Sequence, residues 1–153
     1  MKNIAFYAGS FDPFTNGHLD IITEYGLEPF EVEVQTADRT FVDKLFALGD
    51  YYLSGEIRGH SRHIYDLYKL LGEININDDL RKLVKTVREE RMNHKTCLSA
   101  QENIDMDFLL KEILENKSYK EDYENITLAL LFRPVKYEEA ISVIDKVIKE
   151  NLF

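Results

Sequence analysis

The stretch that decides the fold runs from Arg39 to Leu71 and reads RTFVDKLFALGDYYLSGEIRGHSRHIYDLYKLL. Its first part repeats apolar residues every three or four positions, which is the pattern of an amphipathic helix. A Ser-Gly pair ends that pattern, and Ser61 is a suitable N-cap for a second helix. The stretch therefore predicts two helices joined by a short polar connection, with Lys44 on the first and Asp66 on the second.

A local basic patch lies between these two residues and consists of Arg58, His60, Arg62 and His63. The chain as a whole is acidic, with a net charge of -9 and a pI near 4.9. That balance argues against a protein that coats nucleic acid non-specifically, because such binding depends on neutralising phosphates. It leaves room for a local groove that holds a nucleotide, and we expect such a groove at this patch.

Length and composition indicate one soluble globular domain. With 153 residues, of which 44% are hydrophobic and 31% charged, the chain can bury a sizeable core, and we expect a single compact unit over residues 1–153. Cys97 is the one cysteine, which rules out an internal disulfide and fits a reducing compartment. No apolar run reaches the roughly 18 residues of a membrane span, and the first residues do not form a signal peptide. We therefore expect a cytoplasmic protein with no membrane association.

The residues before this stretch predict a strand, a turn and a helix. Asn3 to Ala8 is an apolar run of strand length that Gly9-Ser10 ends, and a helix is expected from about His18 to Tyr25. Residues 31–35 alternate in the manner of a second short strand. A strand followed by a glycine-containing turn and a helix start is a geometry that holds phosphate, because free backbone N–H groups and the helix dipole face the anion.

The chain beyond residue 72 predicts further helices. Their expected positions are a third helix that opens at Asp78-Asp79, a fourth from Met106 to Glu115, a fifth from Tyr119 to Leu131 and a last one from Tyr137 to Asn151. The expected fold is mainly α, with five or six helices around one core and a short N-terminal strand, turn and helix element. A basic stripe of Arg81, Lys85 and Arg88 on the third helix is either a track for an RNA backbone or a solvated helix face.

Residues 9–18 read GSFDPFTNGH and resemble the signature of the cytidylyltransferase-like nucleotidyltransferases, nearest in wording to the phosphopantetheine adenylyltransferases. The resemblance runs over residues 1–24. It implies that His18 contacts nucleotide phosphates and stabilises the transition state. It also implies that Ser10 is the substrate-contacting hydroxyl, with Phe11 beside it among the nucleotide-binding residues. The second signature of that family, a Ser/Thr-rich turn leading into an arginine helix, is absent from the sequence.

The remainder, residues 25–153, resembles the C-terminal half of the AbiEii/AbiGii toxin family, whose members are nucleotidyltransferases of the polymerase-beta type. Three stretches carry this resemblance: EPFEVEVQTADRTFVDKLFAL at 28–48, SRHIYDLYKL at 61–70 and REERMNHKTCLSAQ at 88–101. The chain is therefore expected to combine a segment that resembles one nucleotidyltransferase family with a helical region that resembles another.

The AbiEii resemblance implies site residues, a cofactor and partners. In that family the lysine at the position of Lys44 contacts the triphosphate, and the aspartate at the position of Asp66 completes the pocket. A lysine on a rigid helix supplies positive charge at a fixed place, and an aspartate can orient it by a charge-assisted hydrogen bond. Arg58 and Arg62 are expected to bind the nucleotide as well. The implied reaction transfers NMP from an NTP with Mg²⁺ to an RNA, such as a tRNA, or to a protein, and an antitoxin protein is the implied partner.

The sequence departs from the AbiEii pattern at the metal site. Polymerase-beta-type transfer uses paired carboxylates that hold divalent metal at the nucleotide phosphates, and the family supplies them as Asp-x-Asp upstream of the lysine. No such motif precedes Lys44. Asp105-Met106-Asp107 lies downstream, and we interpret it as acids at a helix N-terminus rather than as metal ligands. The interpretation is an AbiEii-type nucleotidyltransferase or an inactive fragment of one. A phosphopantetheine adenylyltransferase-like enzyme and a non-catalytic helical interaction module are the alternatives.

Overall fold

Six helical segments make up the part of the chain that the computed structural model describes, which is residues 35–153. They are α1 (Ala37–Ser54), α2 (Arg62–Leu70), α3 (Asp78–Met92), α4 (Met106–Glu115), α5 (Lys120–Asp122, a π turn at Tyr123–Thr127, and Leu128–Leu130) and α6 (Tyr137–Ala140 and Ser142–Lys149). These residues contain no β-strand, and the predicted mainly helical class is confirmed. The strand predicted at residues 3–8 and the helix predicted near residues 18–25 lie outside the described residues. So does the strand predicted at residues 31–35, apart from Gln35, which has no secondary structure.

Clear signals at both ends and a continuous apolar stripe produce α1. The Thr36 hydroxyl accepts a hydrogen bond from the Arg39 N–H at 3.3 Å, which satisfies one free donor of the first turn. Gly55 ends the helix with φ 75°, a left-handed conformation that glycine adopts without steric cost. The stripe has no exposed surface, and its members are Phe41, Val42, Leu45, Phe46 and Leu48. The sequence pattern placed these five residues and Tyr52 on the buried side of the helix, and Tyr52 is only half-buried.

The middle of α1 makes a close approach to the rest of the core at Gly49. A Cβ atom at this position would lie 2.7 Å from the Ser99 Cβ and 3.0 Å from the Leu109 Cδ2. The Ser99 hydroxyl in turn donates to the Phe46 carbonyl at 2.7 Å, which ties the short 3₁₀ turn Leu98–Ala100 against α1. Glycine is therefore required here by the space between α1 and its neighbours, not by its backbone conformation.

The helices α1 and α2 run antiparallel. Lys44 near the start of α1 contacts Asp66 in α2, whereas Tyr51, two turns later in α1, stacks on His60 just before α2. The expectation that the Ser61 side chain caps α2 is wrong: Ser61 occupies the N-cap position without a capping bond. Its hydroxyl lies in the interior instead and hydrogen-bonds the Thr127 hydroxyl at 2.7 Å.

Long polar side chains connect α3 to its surroundings. Arg88 donates to the carbonyls of Ala100 at 3.1 Å and Gln101 at 2.9 Å, and also to that of Ile104. Arg81 donates to two carbonyls just after α6, that of Glu150 at 2.6 Å and that of Asn151 at 3.1 Å. Arg81 and Arg88 of the predicted basic stripe thus bind backbone oxygens of this chain. They form neither a track for RNA nor a fully solvated helix face.

The last three helices agree with prediction to different degrees. The bounds of α4 are those predicted, and Asp105 caps it by accepting from the Phe108 N–H at 3.0 Å. The predicted fifth helix contains a π turn, and the predicted last helix is interrupted at Ile141 and ends at Lys149. Between residues 35 and 153 no helix combines the length and the apolar character that crossing a bilayer requires.

Candidate functional site

An ion pair between Lys44 and Asp66 joins α1 and α2. The Lys44 ammonium donates to the Asp66 Oδ2 at 2.7 Å, and the two side chains are 19% and 31% exposed. Such partial burial removes much of the water that screens a fully exposed pair, while it leaves one side of each group open to a ligand. The two residues singled out by the family resemblance are therefore in direct contact at the surface of the helix pair.

The acid next to Lys44 in the sequence belongs to a different cluster. Asp43 accepts from the Arg39 Nε at 3.0 Å and lies 3.3 Å from an Nη of Arg91. Arg91 also donates to Asp50 at 2.7 Å, two turns further along α1. This cluster attaches α1 to α3 and occupies the carboxylate of Asp43, so Asp66 is the acid that pairs with Lys44.

Three nearly parallel rings continue the same face of the helix pair. Tyr51 stacks on His60 with 3.5 Å between ring centroids and 12° between planes. His63 lies 5.6 Å from the Tyr51 ring and 6.1 Å from the His60 ring, with planes 9° apart in each case. The stack fixes the connection before α2 against α1, so the positions of the basic side chains in that connection are tied to the helix that carries Lys44.

His63 does not contribute positive charge to the patch. Burial, followed by the positive charges of Lys44 and Arg62 and by His60, lowers the pKa of His63 from 6.5 to about 4. Its Nδ1 is buried and has no hydrogen-bond partner among residues 35–153, which agrees with a neutral ring. The sequence-based interpretation of His63 as part of a basic patch is therefore wrong. It took no account of the burial of this ring near the positive charges of Lys44 and Arg62, both of which disfavour its protonation.

Arg58 and Arg62 are both exposed; Arg58 lies in the connection between the two helices, and Arg62 lies one turn before Asp66 on α2. Neither of them forms a salt bridge with any other described residue, in contrast to Arg39, Arg81 and Arg91. Arg58 also lines an open cavity of about 540 Å³ together with Ser118, Glu121, Asp122, Asn125 and apolar neighbours. The described part of the predicted site thus combines one ion pair, two exposed guanidinium groups and a stacked aromatic surface.

The carboxylates of the described residues do not form a magnesium site. Within residues 35–153 no three His, Cys, Asp or Glu side chains are placed to share a metal ion. Asp105 caps α4 and Asp107 lies in its first turn, as predicted for acids at a helix start. Burial raises the pKa of Asp107, with a further contribution from Asp105 and opposition from Lys111, which disfavours its charged form. Residues 35–153 therefore show no cluster of side chains that would by itself hold Mg²⁺.

Three predicted site residues, Ser10, Phe11 and His18, lie outside the described part of the chain. Conversely, the structure shows one polar contact that sequence analysis missed. Asp122 accepts from the backbone N–H groups of Gly59 and Ser61. More than sixty positions separate these partners, and no local pattern in the sequence signals the contact.

Comparison with protein families assigns the chain. The model of the nucleotidyl transferase AbiEii toxin family, from type IV toxin–antitoxin systems, matches residues 9–142. The chain belongs to this family. The AbiEii match covers Lys44, Asp66 and both exposed arginines, and it begins earlier than the resemblance at residues 25–153 on which the sequence analysis relied. It therefore also includes the GSFDPFTNGH stretch.

Curated relatives match the AbiEii chain over short segments only. A phosphopantetheine adenylyltransferase of Leptospira biflexa is 86% identical over 22 residues, which is 14% of this chain and 14% of the relative. The enzyme of the same name from Syntrophus aciditrophicus is 68% identical over 31 residues, 20% of this chain and 18% of the relative. That from Syntrophotalea carbinolica is 50% identical over 50 residues, 32% of this chain and 30% of the relative. The chain thus spans less than a third of these relatives, and no solved structure matches it significantly.

Proposed function

We propose that this AbiEii chain binds a nucleoside triphosphate over the α1–α2 pair and transfers NMP from it to an RNA, such as a tRNA, or to a protein acceptor. The observation that carries the proposal is the half-buried Lys44–Asp66 ion pair at 2.7 Å, with the exposed Arg62 one turn before Asp66 on the same helix. An anionic ligand of several charges suits this surface, because guanidinium and ammonium groups form charge-assisted hydrogen bonds with phosphate oxygens.

Lys44 supplies the fixed charge in this proposal. Its ammonium group carries three donors, and Asp66 accepts from one of them at 2.7 Å. The other two donors can meet phosphate oxygens while the Asp66 carboxylate keeps the lysine oriented. A charge that is already in place costs no reorganisation when negative charge develops on the transferred phosphoryl group. Arg58 and Arg62 add bidentate contacts from the connection and from the first residue of α2.

Mg²⁺ accompanies the NTP in this proposal. Magnesium in nucleotide sites is bound through substrate phosphates and one or two carboxylates, and it keeps several of its waters. It lowers the charge of the triphosphate that Lys44 must meet. Residues 35–153 contain no cluster of three possible metal ligands, and the part proposed for these residues is to bind and orient the phosphates.

A transfer assay tests the proposal. The full chain would be incubated with each α-phosphate-labelled NTP and Mg²⁺, with total tRNA or with protein acceptors, and label on the acceptor would be measured. Lys44→Ala and Asp66→Asn are expected to abolish transfer. Lys69→Ala, which removes an exposed lysine from α2, is expected to retain it. Transfer that survives Lys44→Ala would contradict the proposed site. If the chain neither transfers label nor binds any nucleotide, the remaining interpretation is a non-catalytic helical interaction module.

A second candidate rests on the relatives named phosphopantetheine adenylyltransferase, which match this chain over as few as 22 residues at 86% identity. In this reading Ser10, Phe11 and His18 bind ATP and phosphopantetheine. The discriminating measurement is the midpoint of thermal unfolding with each ligand, since a ligand that binds only the folded state raises the midpoint. A shift lost in His18→Ala but kept in Lys44→Ala favours the second candidate, and the reverse pattern favours the AbiEii reaction.

The remaining parts of the proposal concern partners and location. A type IV toxin–antitoxin family suggests an antitoxin protein as the natural partner, and the presence of one cysteine suits a cytoplasmic protein. Residues 1–24 and 25–153 are proposed as the two segments of one unit. Co-expression of the chain with a candidate antitoxin would test the partner, and failure of the two proteins to co-purify would count against that candidate.

A further inference from the structure

The connection between α1 and α2 holds Arg58 and leads directly into Arg62, the two exposed arginines of the proposed site. Arg58 and His60 lie in it, and Arg62 follows as the first residue of α2. Two N–H groups of the connection form local hydrogen bonds. The Glu56 N–H donates to the Tyr51 carbonyl at the end of α1 at 3.0 Å, and the His60 N–H donates to the Ile57 carbonyl at 3.0 Å. The geometry of this short segment therefore decides where the guanidinium groups stand relative to Lys44.

Asp122 of α5 accepts hydrogen bonds from two backbone N–H groups of the connection that have no partner within it. Its carboxylate accepts from the Gly59 N–H at 2.8 Å and from the Ser61 N–H at 3.2 Å. Burial alone would raise the pKa of Asp122, but the hydrogen bonds from Ser61 and Gly59 outweigh it and lower the pKa below 3.8. The group is thus an anion at neutral pH, and bonds from backbone N–H groups to a carboxylate are among the stronger hydrogen bonds.

The π turn explains why α5 makes two contacts with the same segment. A π turn closes hydrogen bonds between residues five apart, so residues at that spacing lie one above the other. Asp122 and Thr127 are five apart and border or end the turn Tyr123–Thr127. Both contact the connection: Thr127 reaches the Ser61 hydroxyl at 2.7 Å in the interior. In a regular α-helix the two side chains would point in different directions.

The helix that makes these contacts is itself anchored in the core. Tyr119 precedes α5, is fully buried and donates to the Leu48 carbonyl of α1 at 2.6 Å. Tyr123 in the π turn is also fully buried and donates to the Val135 carbonyl at 3.1 Å. Buried tyrosines with satisfied hydroxyls make this a rigid support. Asp122 is consequently held at a fixed distance from α1, on which Lys44 lies.

We infer that Asp122, assisted by Thr127, is a positioning residue for nucleotide binding, which fixes the Gly59–Ser61 backbone so that Arg58 and Arg62 converge with Lys44 on the triphosphate. The inference rests on the proposed function and adds to it a residue outside both helices of the site. When only a fraction of molecules has the connection in place, the apparent dissociation constant rises by the inverse of that fraction. Asp122 keeps that fraction near one.

The test compares Asp122→Asn with Glu121→Gln in the full chain. Both variants lose one negative charge beside the same cavity, but of these two carboxylates only Asp122 accepts hydrogen bonds from the described connection. Asn presents an NH₂ group to one of the two backbone donors, so one hydrogen bond is lost. We expect the dissociation constant for the Mg²⁺ complex of the preferred NTP to rise about tenfold in Asp122→Asn and to change less than about twofold in Glu121→Gln.

Two further readouts separate positioning from general stability. Amide hydrogen exchange at Gly59 and Ser61 is expected to accelerate in Asp122→Asn, while exchange in the α1 core is unchanged. Binding is measured well below each variant's unfolding midpoint, where loss of stability alone does not weaken affinity. If Asp122→Asn does not fold, Thr127→Val carries the test, with an expected rise in dissociation constant of about threefold.

The outcomes separate this inference from the proposed function. Wild-type affinity in Asp122→Asn, alongside binding that Lys44→Ala abolishes, would overturn the role of Asp122 and leave the nucleotide site in place. Equal losses in Asp122→Asn and Glu121→Gln would also overturn it, because charge and not position would then be responsible. Absence of NTP binding in the wild type would overturn both proposals.

Discussion

Acidification is expected to destabilise this protein through His63, at a pH above the range in which its carboxylates titrate. The positive charges of Lys44 and Arg62 act on this ring, His60 is stacked beside it, and its Nδ1 is buried without a partner among the described residues. Protonation would therefore place a cation among cations in a poorly hydrated position. The unfolded chain protonates the same histidine near its ordinary pKa, so the unfolded state binds the proton first as the pH falls.

The magnitude follows from the two pKa values. The pKa is 6.5 in the unfolded chain and about 4 in the folded protein. A group whose pKa is lower in the folded state contributes stability above the unfolded value, and this contribution is lost as the pH falls toward the folded value. At 1.36 kcal/mol per pH unit, the free energy of unfolding should fall by about 3 kcal/mol between pH 7 and pH 4 on account of this residue.

The assay is urea unfolding across that pH range for the wild type, His63→Gln and His94→Gln. Gln at position 63 is neutral throughout, so the variant should lack the His63 contribution, and its free energy should fall less steeply than that of the wild type. His94 is exposed, and its replacement should leave the slope of the wild type unchanged. Parallel pH dependence in the wild type and His63→Gln would refute the reasoning, because the depressed pKa would then have no consequence for stability.

Three stability predictions concern contacts that fix the fold around the site, and urea unfolding measures each. Gly49→Ala should destabilise the protein by about 1–3 kcal/mol despite the better helix propensity of alanine, because its Cβ would lie 2.7 Å from Ser99, and a stabilised variant would disprove the close approach. Ser61→Ala should lower the unfolding free energy by about 1–2 kcal/mol, because it leaves the buried Thr127 hydroxyl without its partner. The double variant Ser61→Ala, Thr127→Val should be closer to the wild type, since it leaves no unpaired buried hydroxyl. Additive losses in the double variant would argue against the hydrogen-bonded pair. Arg88→Met should cost about 2–3 kcal/mol because three carbonyl oxygens lose their donor, and a neutral result would mean that water replaces it.

Local patterns in the sequence predicted most of the helices. The apolar stripe of α1 defines a buried side because a helix repeats every 3.6 residues. Five of its six predicted residues are fully buried, and the sixth, Tyr52, is half-buried. The start of α4 was predictable because Asp105 precedes an apolar run, and it does cap the helix. Such features depend on residues within a few positions of one another, which a single sequence contains.

Contacts between distant segments could not be predicted in the same way. The π turn at Tyr123–Thr127 has no distinctive composition. The contact that it makes, between the Thr127 and Ser61 hydroxyls, joins segments 66 positions apart in the sequence. The loss of charge at His63 required knowledge of burial, which the basic composition around it concealed. Lys44 and Asp66 were paired in advance only because family resemblance named both positions. Within the described residues their contact agrees with that pairing, and their role in binding stays a prediction.

The most direct test of the account is calorimetric titration of each Mg²⁺–NTP into the wild type, Lys44→Ala and Lys69→Ala. Lys44 and Lys69 lie on the two helices of the same pair, but only Lys44 pairs with Asp66. The account predicts binding by the wild type and by Lys69→Ala, and at least about tenfold weaker binding by Lys44→Ala, as expected for the loss of a charge-assisted phosphate contact. Equal affinity in all three proteins would contradict the claim that the Lys44–Asp66 pair forms the nucleotide site.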